Sequence, residues 1–246
     1  MIFFNEKYNF WPVYESIKKY YPIGCIEDWE RLYKCRAFDY PGRMDLESII
    51  LDNLHNDNNF NSRWKSIERE IETLTEKKVI GTTYGRAPCF SGYIELESIS
   101  INNLTRLKEL YFFVSFVGPF YSIIGQDRSI VTFDKSNISH TNYLVVSPEN
   151  EFAEPFSLIE KKIQEKFPGY LFTPFHLCKQ ELEGLSVRGS NDEHNKTVFH
   201  ALFNDQIDLS AEFIGDGMYG SEKWIRGDYD GSKEGGWTIY PPESEK

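Results

Sequence analysis

The chain has 246 residues and a net charge of −11, and it combines 40% hydrophobic with 16% aromatic residues. A chain of this length can bury a sizeable core, and its aromatic content excludes a disordered protein. The negative charge disfavours nucleic-acid binding, because that binding draws most of its affinity from lysine and arginine contacts to phosphates.

Cysteine usage and the first residues predict where the protein works. The four cysteines, at positions 25, 35, 89 and 178, are scattered and form no C-x-x-C pair, which favours reduced thiols in a cytosol. The opening MIFFNEKYNF has no basic stretch followed by a long apolar one, so we expect no secretion signal. A cytoplasmic protein without membrane association is the expectation.

Helical spacing dominates residues 1–76. Pro12 is suited to the first turn of a helix that Pro22 ends, and Asp45 is suited to cap a later one. The apolar positions that define the predicted helices are Val13, Ile17 and Tyr20; Trp29, Leu32 and Tyr33; Leu46, Ile49, Ile50 and Leu54; and Trp64, Ile67, Ile71 and Leu74. The last set, spaced three, four and three apart, predicts the clearest amphipathic helix.

From Val79 the pattern changes to short strands rich in β-branched and aromatic residues. The run LYFFVSFVGPFYSIIG, residues 110–125, is almost wholly apolar, and Gly118-Pro119 divides it. It is too short for a membrane span and predicts two buried central strands. The predicted strands are 79–84, 93–98, 111–117, 120–125, 129–133, 143–147, 170–172 and 208–214, with 197–203 ambiguous.

These elements together predict an α+β protein. We expect a mostly antiparallel sheet of about six to eight strands faced by helices, because hairpin spacing rather than βαβ alternation dominates. The expected organisation is one globular domain over 1–246, with a helical N-terminal third (1–76) and a β-rich part (77–240). The β-rich part contains one helix near 155–167, and a tail follows at 241–246.

Two motifs near the C-terminus fail on inspection. Gly215, Gly217 and Gly220 spell G-x-G-x-x-G, but too little chain remains for the βαβ unit that a dinucleotide site requires. The segment Asp228–Gly231 starts like a calcium loop, yet its glycine stands at position four instead of six. The five histidines lack metal-ligand spacing. We therefore predict no cofactor, no metal and no catalytic residue.

One alternative is an enzyme built around His176 and Cys178. On a strand these two residues would share a face, so a thiol–imidazole pair is conceivable. His200 and nearby glutamates are the other candidate residues for such a site. A third possibility is a structural or scaffold protein of a larger assembly.

The acidity is concentrated at the end of the chain, where residues 205–246 carry ten acids against four bases. An acidic surface attracts a basic partner, and tyrosine and tryptophan supply contact area at low entropic cost. We predict that this region binds a basic protein, and the oligomeric state stays open. The candidate contact residues are Asp216, Tyr219, Trp224, Asp228, Tyr229, Asp230 and Trp237.

The aromatic hairpin LYFFVSFVGPFYSIIGQD, followed by GDGMYGSEKW and GDYDGSKEGGW, resembles immunity proteins of bacterial polymorphic-toxin systems. Those proteins neutralise a cognate toxin by binding it. The resemblance is one of architecture and composition over the β-rich two thirds, and it assigns no individual residue. It implies a stoichiometric, non-catalytic inhibitor whose acidic face meets a basic toxin domain.

Overall fold

A computed structural model describes residues 2–5, 7–24, 40–133, 138–187, 196–230 and 236–239, with backbone only for 2–5, 138 and 236–239. The predicted helix around Trp29, together with Cys25, Cys35 and His194, lies outside these residues, as does the tail 241–246. None of the described helices has the length and apolarity needed to cross a membrane.

The described strands form two sheets. Seven strands make the larger one in the order β2-β3-β4-β5-β6-β8, with β7 beside β5, and β1 pairs with β9 in a separate ribbon. The β5–β7 and β6–β8 pairs are parallel and the other pairs are antiparallel. The strands are β1 (Ile2–Asn5), β2 (Val79–Gly81), β3 (Cys89–Ile101), β4 (Leu104–Ser115), β5 (Phe120–Thr132), β6 (Ile138–Val145), β7 (Leu171–Phe172), β8 (Glu212–Ile214) and β9 (Gly236–Ile239).

The apolar run at 110–125 is continuous because both faces of the larger sheet are covered. Alternate side chains of β4 enter different cores: Tyr111 and Phe113 belong to one, and Phe112 and Val114 to the other. A strand buried on both faces has no position that favours a polar residue. The prediction that this run forms the centre of the sheet is confirmed.

Helices supply the cover on each face. The helices are α1 (Trp11–Tyr20), α2 (Pro41–His55), α3 (Lys65–Thr75), α4 (Ala153–Lys166), α5 (Phe175–Cys178) and α6 (Val198–Leu202), with a π-helical turn at Phe60–Trp64 and 3-10 turns at Asn150–Phe152 and Ser221–Trp224. The first core receives Ile17 of α1 and Ile50 of α2, and the second receives Ile67 of α3 and Ile159 of α4.

The α+β class, the mostly antiparallel sheet and its number of strands agree with the sequence prediction. The helical N-terminal third is seen only in part, because the chain opens with β1 and residues 25–39 are outside the described part. Asp45 was predicted as a helix cap, and this prediction is wrong. Helix α2 begins at Pro41 with Tyr40 as its N-cap, since a proline in the first turn already fits helical geometry.

Strand lengths differ most from the prediction. The predicted strands 120–125 and 129–133 are a single strand, β5, which continues through the polar residues between them. This is possible because β4 pairs with both halves of β5, and β6 pairs with its second half from Gly125 onward. The predicted strand 208–214 shrinks to β8, and the ambiguous segment 197–203 contains helix α6, which Thr197 caps by accepting from the His200 backbone N–H.

Candidate functional site

The last strand of the larger sheet, β8, presents an exposed edge. Glu212, Phe213 and Ile214 are all exposed, Phe213 by 45% and Ile214 by 44%. The Val146 N–H donates to the Ile214 carbonyl at 3.1 Å. Alternation along a strand then directs the backbone N–H and C=O of Phe213 away from the sheet. An edge of this kind is open to a partner's strand or loop.

A fixed turn follows β8. Gly215 has φ +101°, and a Cβ there would collide with Ser147 Oγ. That hydroxyl accepts from the Asp216 backbone N–H at 2.8 Å and lies 3.2 Å from a Glu149 carboxylate oxygen. The Asp216 carboxylate in turn accepts from the Met218 backbone N–H at 2.8 Å. The glycine and the serine therefore fix the direction in which Asp216 leaves the sheet.

Helix α5 packs against this turn and completes what we call the edge-strand corner: β8, the turn 215–218 and residues 175–180. The His176 backbone N–H donates to the Gly217 carbonyl at 2.9 Å. Between the two segments lies an open hollow of about 490 Å³. Its walls are Phe175, His176, Lys179, Gln180, Phe213, Asp216, Gly217 and Met218.

Strand β8 and the turn of the corner lie within a strongly acidic stretch. Residues 205–230 contain seven acids, all exposed, and two bases. Lys223 lies 3.3 Å from a Glu160 oxygen outside the stretch, and Arg226 pairs with Asp228 through two hydrogen bonds. Arg226 lowers the pKa of Asp228. Within residues 205–230 the exposed acids therefore clearly outnumber the bases, and the stretch has a net negative charge.

Two of the predicted contact residues are held within the fold. Trp224 is 3% exposed, and its indole Nε1 donates to the Phe172 carbonyl at 2.8 Å. Tyr219 is half-buried, and its hydroxyl donates to Glu160 at 2.8 Å, while burial raises its pKa. Trp224 is therefore a core side chain rather than an exposed anchor, because β5, β7 and the residue before α1 enclose it. The sequence pattern could not show this enclosure.

The other predicted contact residues belong to three different parts of the structure. Asp216 belongs to the edge-strand corner. Asp228, Tyr229 and Asp230 follow the backbone bond from the Arg226 N–H to the Lys7 carbonyl, and both aspartates are exposed. Trp237 contributes its backbone to β9, opposite Phe4 of β1, and its side chain is outside the described part.

The predicted pairing of His176 with Cys178 rested on a strand, and that assignment is wrong. The segment Phe175–Cys178 is the helix α5, which sends His176 to the surface and Cys178 into the core. The Cys178 thiol donates to the Thr173 carbonyl at 3.6 Å and lies 3.8 Å from Ser122 Oγ. Burial raises the pKa of Cys178 to about 12, so this thiol is a poor nucleophile.

His200 takes part in a helix cap rather than in a catalytic arrangement. Its Nδ1 lies 2.7 Å from Oγ1 of Thr197, the N-cap of α6, and burial lowers its pKa. Among the described residues, no three histidine, cysteine, aspartate or glutamate side chains come together as metal ligands.

A second group of exposed apolar side chains lies at the tip of the β3–β4 hairpin, at Ile99, Ile101 and Leu104. Arg106 beside them lies 3.4 Å from Glu97 and 3.3 Å from Asp127. The carboxylates at the tip therefore have a cation between them, whereas among the described residues no cation forms an ion pair with Glu212 or Asp216 at the corner. Of these two apolar groups, the one on β8 belongs to the stretch 205–230, in which acids outnumber bases by seven to two.

Sequence reasoning missed Phe213, Phe175 and Lys179. The pair Phe213-Ile214 before a glycine indicated the end of a strand, but a buried strand has the same pattern. Only the strand order shows that β8 is an edge.

Comparison of the chain with models of known protein families, with curated proteins and with solved structures finds no match.

Proposed function

We propose that this protein works by binding a basic protein partner through the edge-strand corner, as a stoichiometric immunity protein binds its toxin. The observation that carries the proposal is β8, an edge strand with two exposed apolar side chains inside a strongly acidic stretch. Apolar contact area supplies affinity, and the surrounding charge selects the partner.

Charge supports a basic partner specifically. The exposed acids between Asp205 and Asp230 outnumber the bases of the same stretch by seven to two, and the whole chain carries a net charge of −11. Such a surface steers a positively charged protein into contact and raises its association rate, an effect that salt weakens.

The open edge of β8 also supports binding through backbone hydrogen bonds. The outward N–H and C=O of Phe213 can pair with a segment of the partner in an extended conformation. Because β8 has only three residues, such pairing would be short. Side-chain contacts at Phe213 and Ile214 and the acidic rim would then supply much of the affinity.

The test starts with capture of partners from the source cell at low salt, followed by reconstitution with the purified candidate. A partner that supports the proposal is basic, binds one to one, and is released by salt. If the partner is a toxic enzyme, its activity should fall linearly and end at one equivalent of this protein. Failure of every candidate to bind the purified chain would refute the proposal.

Variants then assign the surface. Glu212→Gln with Asp216→Asn removes two charges from the corner, while the new amide oxygen at position 216 can still accept from the Met218 N–H. We expect the association rate to fall about tenfold at low salt and the difference to vanish at high salt. The matched control is Glu72→Gln with Glu76→Gln, which removes two exposed charges near the end of α3. Equal effects of the two pairs would contradict a role for the corner.

A further inference from the structure

Two aromatic rings in the edge-strand corner share one ammonium group. Phe175 and Phe213 pack with their ring centroids 5.1 Å apart at 55°. Lys179 Nζ lies 5.5 Å from the Phe175 centroid and 5.6 Å from the Phe213 centroid. The faces of aromatic rings attract cations at this range. The rings thus form a two-sided cation site that the chain's own lysine occupies.

The occupant is weakly held. Lys179 is exposed and follows directly after α5, and its long side chain can turn into solvent. A cation–π contact at an exposed position is worth only about a two- to five-fold factor in an equilibrium. A partner's cation can therefore replace Lys179 at small cost, and the rings themselves need not move.

The hollow also offers a carboxylate. Asp216 forms part of its wall, and one carboxylate oxygen accepts from the Met218 N–H. In the described part of the chain no cation pairs with Asp216. The bond from the His176 N–H to the Gly217 carbonyl joins the two wall segments, and within one of them the Gln180 side-chain amide donates to the His176 carbonyl at 3.1 Å.

We infer that this hollow receives an arginine side chain of the basic partner, and this inference rests on the proposed function. A guanidinium is planar, so it can stack on the exposed Phe213 ring while its N–H groups reach the Asp216 carboxylate. Lys179 holds the place in the free protein and is displaced on binding.

A titration of the isotope-labelled protein with acetyl-Gly-Arg-Gly-amide, followed by NMR, tests the inference directly. We expect saturable shifts of the Phe213, Gly217 and Lys179 amide signals. The same peptide with citrulline, which keeps the shape and removes the charge, should bind at least several-fold more weakly, and the glutamate peptide should give no saturable shift. Saturation by the glutamate peptide, or equal binding of citrulline and arginine, would overturn the inference.

Variants at three wall positions should change the affinity for the arginine peptide in different directions. Phe213→Leu keeps an apolar side chain without the ring, and Asp216→Asn keeps the turn without the charge, so both should weaken arginine-peptide binding. Lys179→Met removes the competing ammonium and should strengthen it about two- to five-fold. Weaker binding by Lys179→Met would show that the hollow prefers an anion and would overturn the inference.

The reconstituted partner separates this inference from the proposed function. Loss of affinity through Glu212→Gln and Asp216→Asn, with no change through Phe213→Leu or Lys179→Met, would leave the binding function standing and remove the arginine pocket. If the arginine peptide binds saturably but no basic protein partner is found, the arginine pocket would stand and the proposed binding function would be lost.

Discussion

Replacement of Trp224 by phenylalanine distinguishes a core residue from a contact residue. Trp224 is 3% exposed, and its ring packs against Phe10 and Phe120 at centroid distances of 5.5 and 6.0 Å. The substitution keeps an aromatic ring there but removes the indole N–H that bonds the Phe172 carbonyl. It therefore tests one hydrogen bond and a modest loss of volume.

The expected loss of stability has two parts. A buried carbonyl left without its donor costs about 1–3 kcal/mol. The smaller ring gives up apolar contact and leaves a small cavity, which adds about 1 kcal/mol. We therefore expect the free energy of unfolding to fall by about 2–4 kcal/mol, measured by urea denaturation followed by far-UV circular dichroism.

Trp11 provides the matched control. It is 42% exposed and stacks on Tyr14 with ring centroids 5.1 Å apart. Trp11→Phe should cost about 1 kcal/mol or less, because surface substitutions rarely cost more. If Trp224→Phe were as mild as Trp11→Phe but weakened binding of the partner, Trp224 would be a contact residue and the present reasoning would be refuted.

Three further predictions concern reactivity, pH and backbone conformation. In the native protein, Cys178 should resist alkylation near neutral pH and react only after unfolding, as followed by peptide mass mapping, because its thiol is buried and its pKa is raised to about 12. Glu70 lies 2.7 Å from Lys166, whose ammonium helps lower the Glu70 pKa from 4.5 to about 2. Glu70→Gln should therefore cost about 0.5–1 kcal/mol in urea denaturation near pH 7, with the difference disappearing as pH falls from about 4.5 to 2. Gly215→Ala should cost about 1–3 kcal/mol in the same assay, because it strains the backbone at positive φ and crowds Ser147.

Each of these has a contrary outcome. Rapid labelling of Cys178 under native conditions would show that its pocket opens readily. The Glu70 reasoning has a fixed sign: a carboxylate with a lowered pKa stabilises above its unfolded pKa, so a difference that grows toward low pH would contradict it. Gly227→Ala, where an added Cβ meets no atom within 4 Å, is the control for Gly215→Ala and should be nearly neutral.

Local patterns determined much of the architecture. The run at 110–125 predicts central strands because so many consecutive apolar side chains can be accommodated only where both faces are covered. The 3-4-3 spacing from Trp64 to Leu74 predicted a helix, and the structure contains helix α3 at residues 65–75. In both cases the local sequence is enough to predict the strand or helix, because the residues that determine it are close together in the chain.

The candidate site depended on contacts between distant segments. Phe213 is exposed because β8 is the last strand of the sheet, and Trp224 is buried because Phe10 and Phe120 reach it from far along the chain. Composition showed that the end of the chain is acidic. Which aromatic rings face solvent, and which lysine lies over them, was decided by the tertiary structure, because exposure depends on what packs nearby and not on sequence spacing.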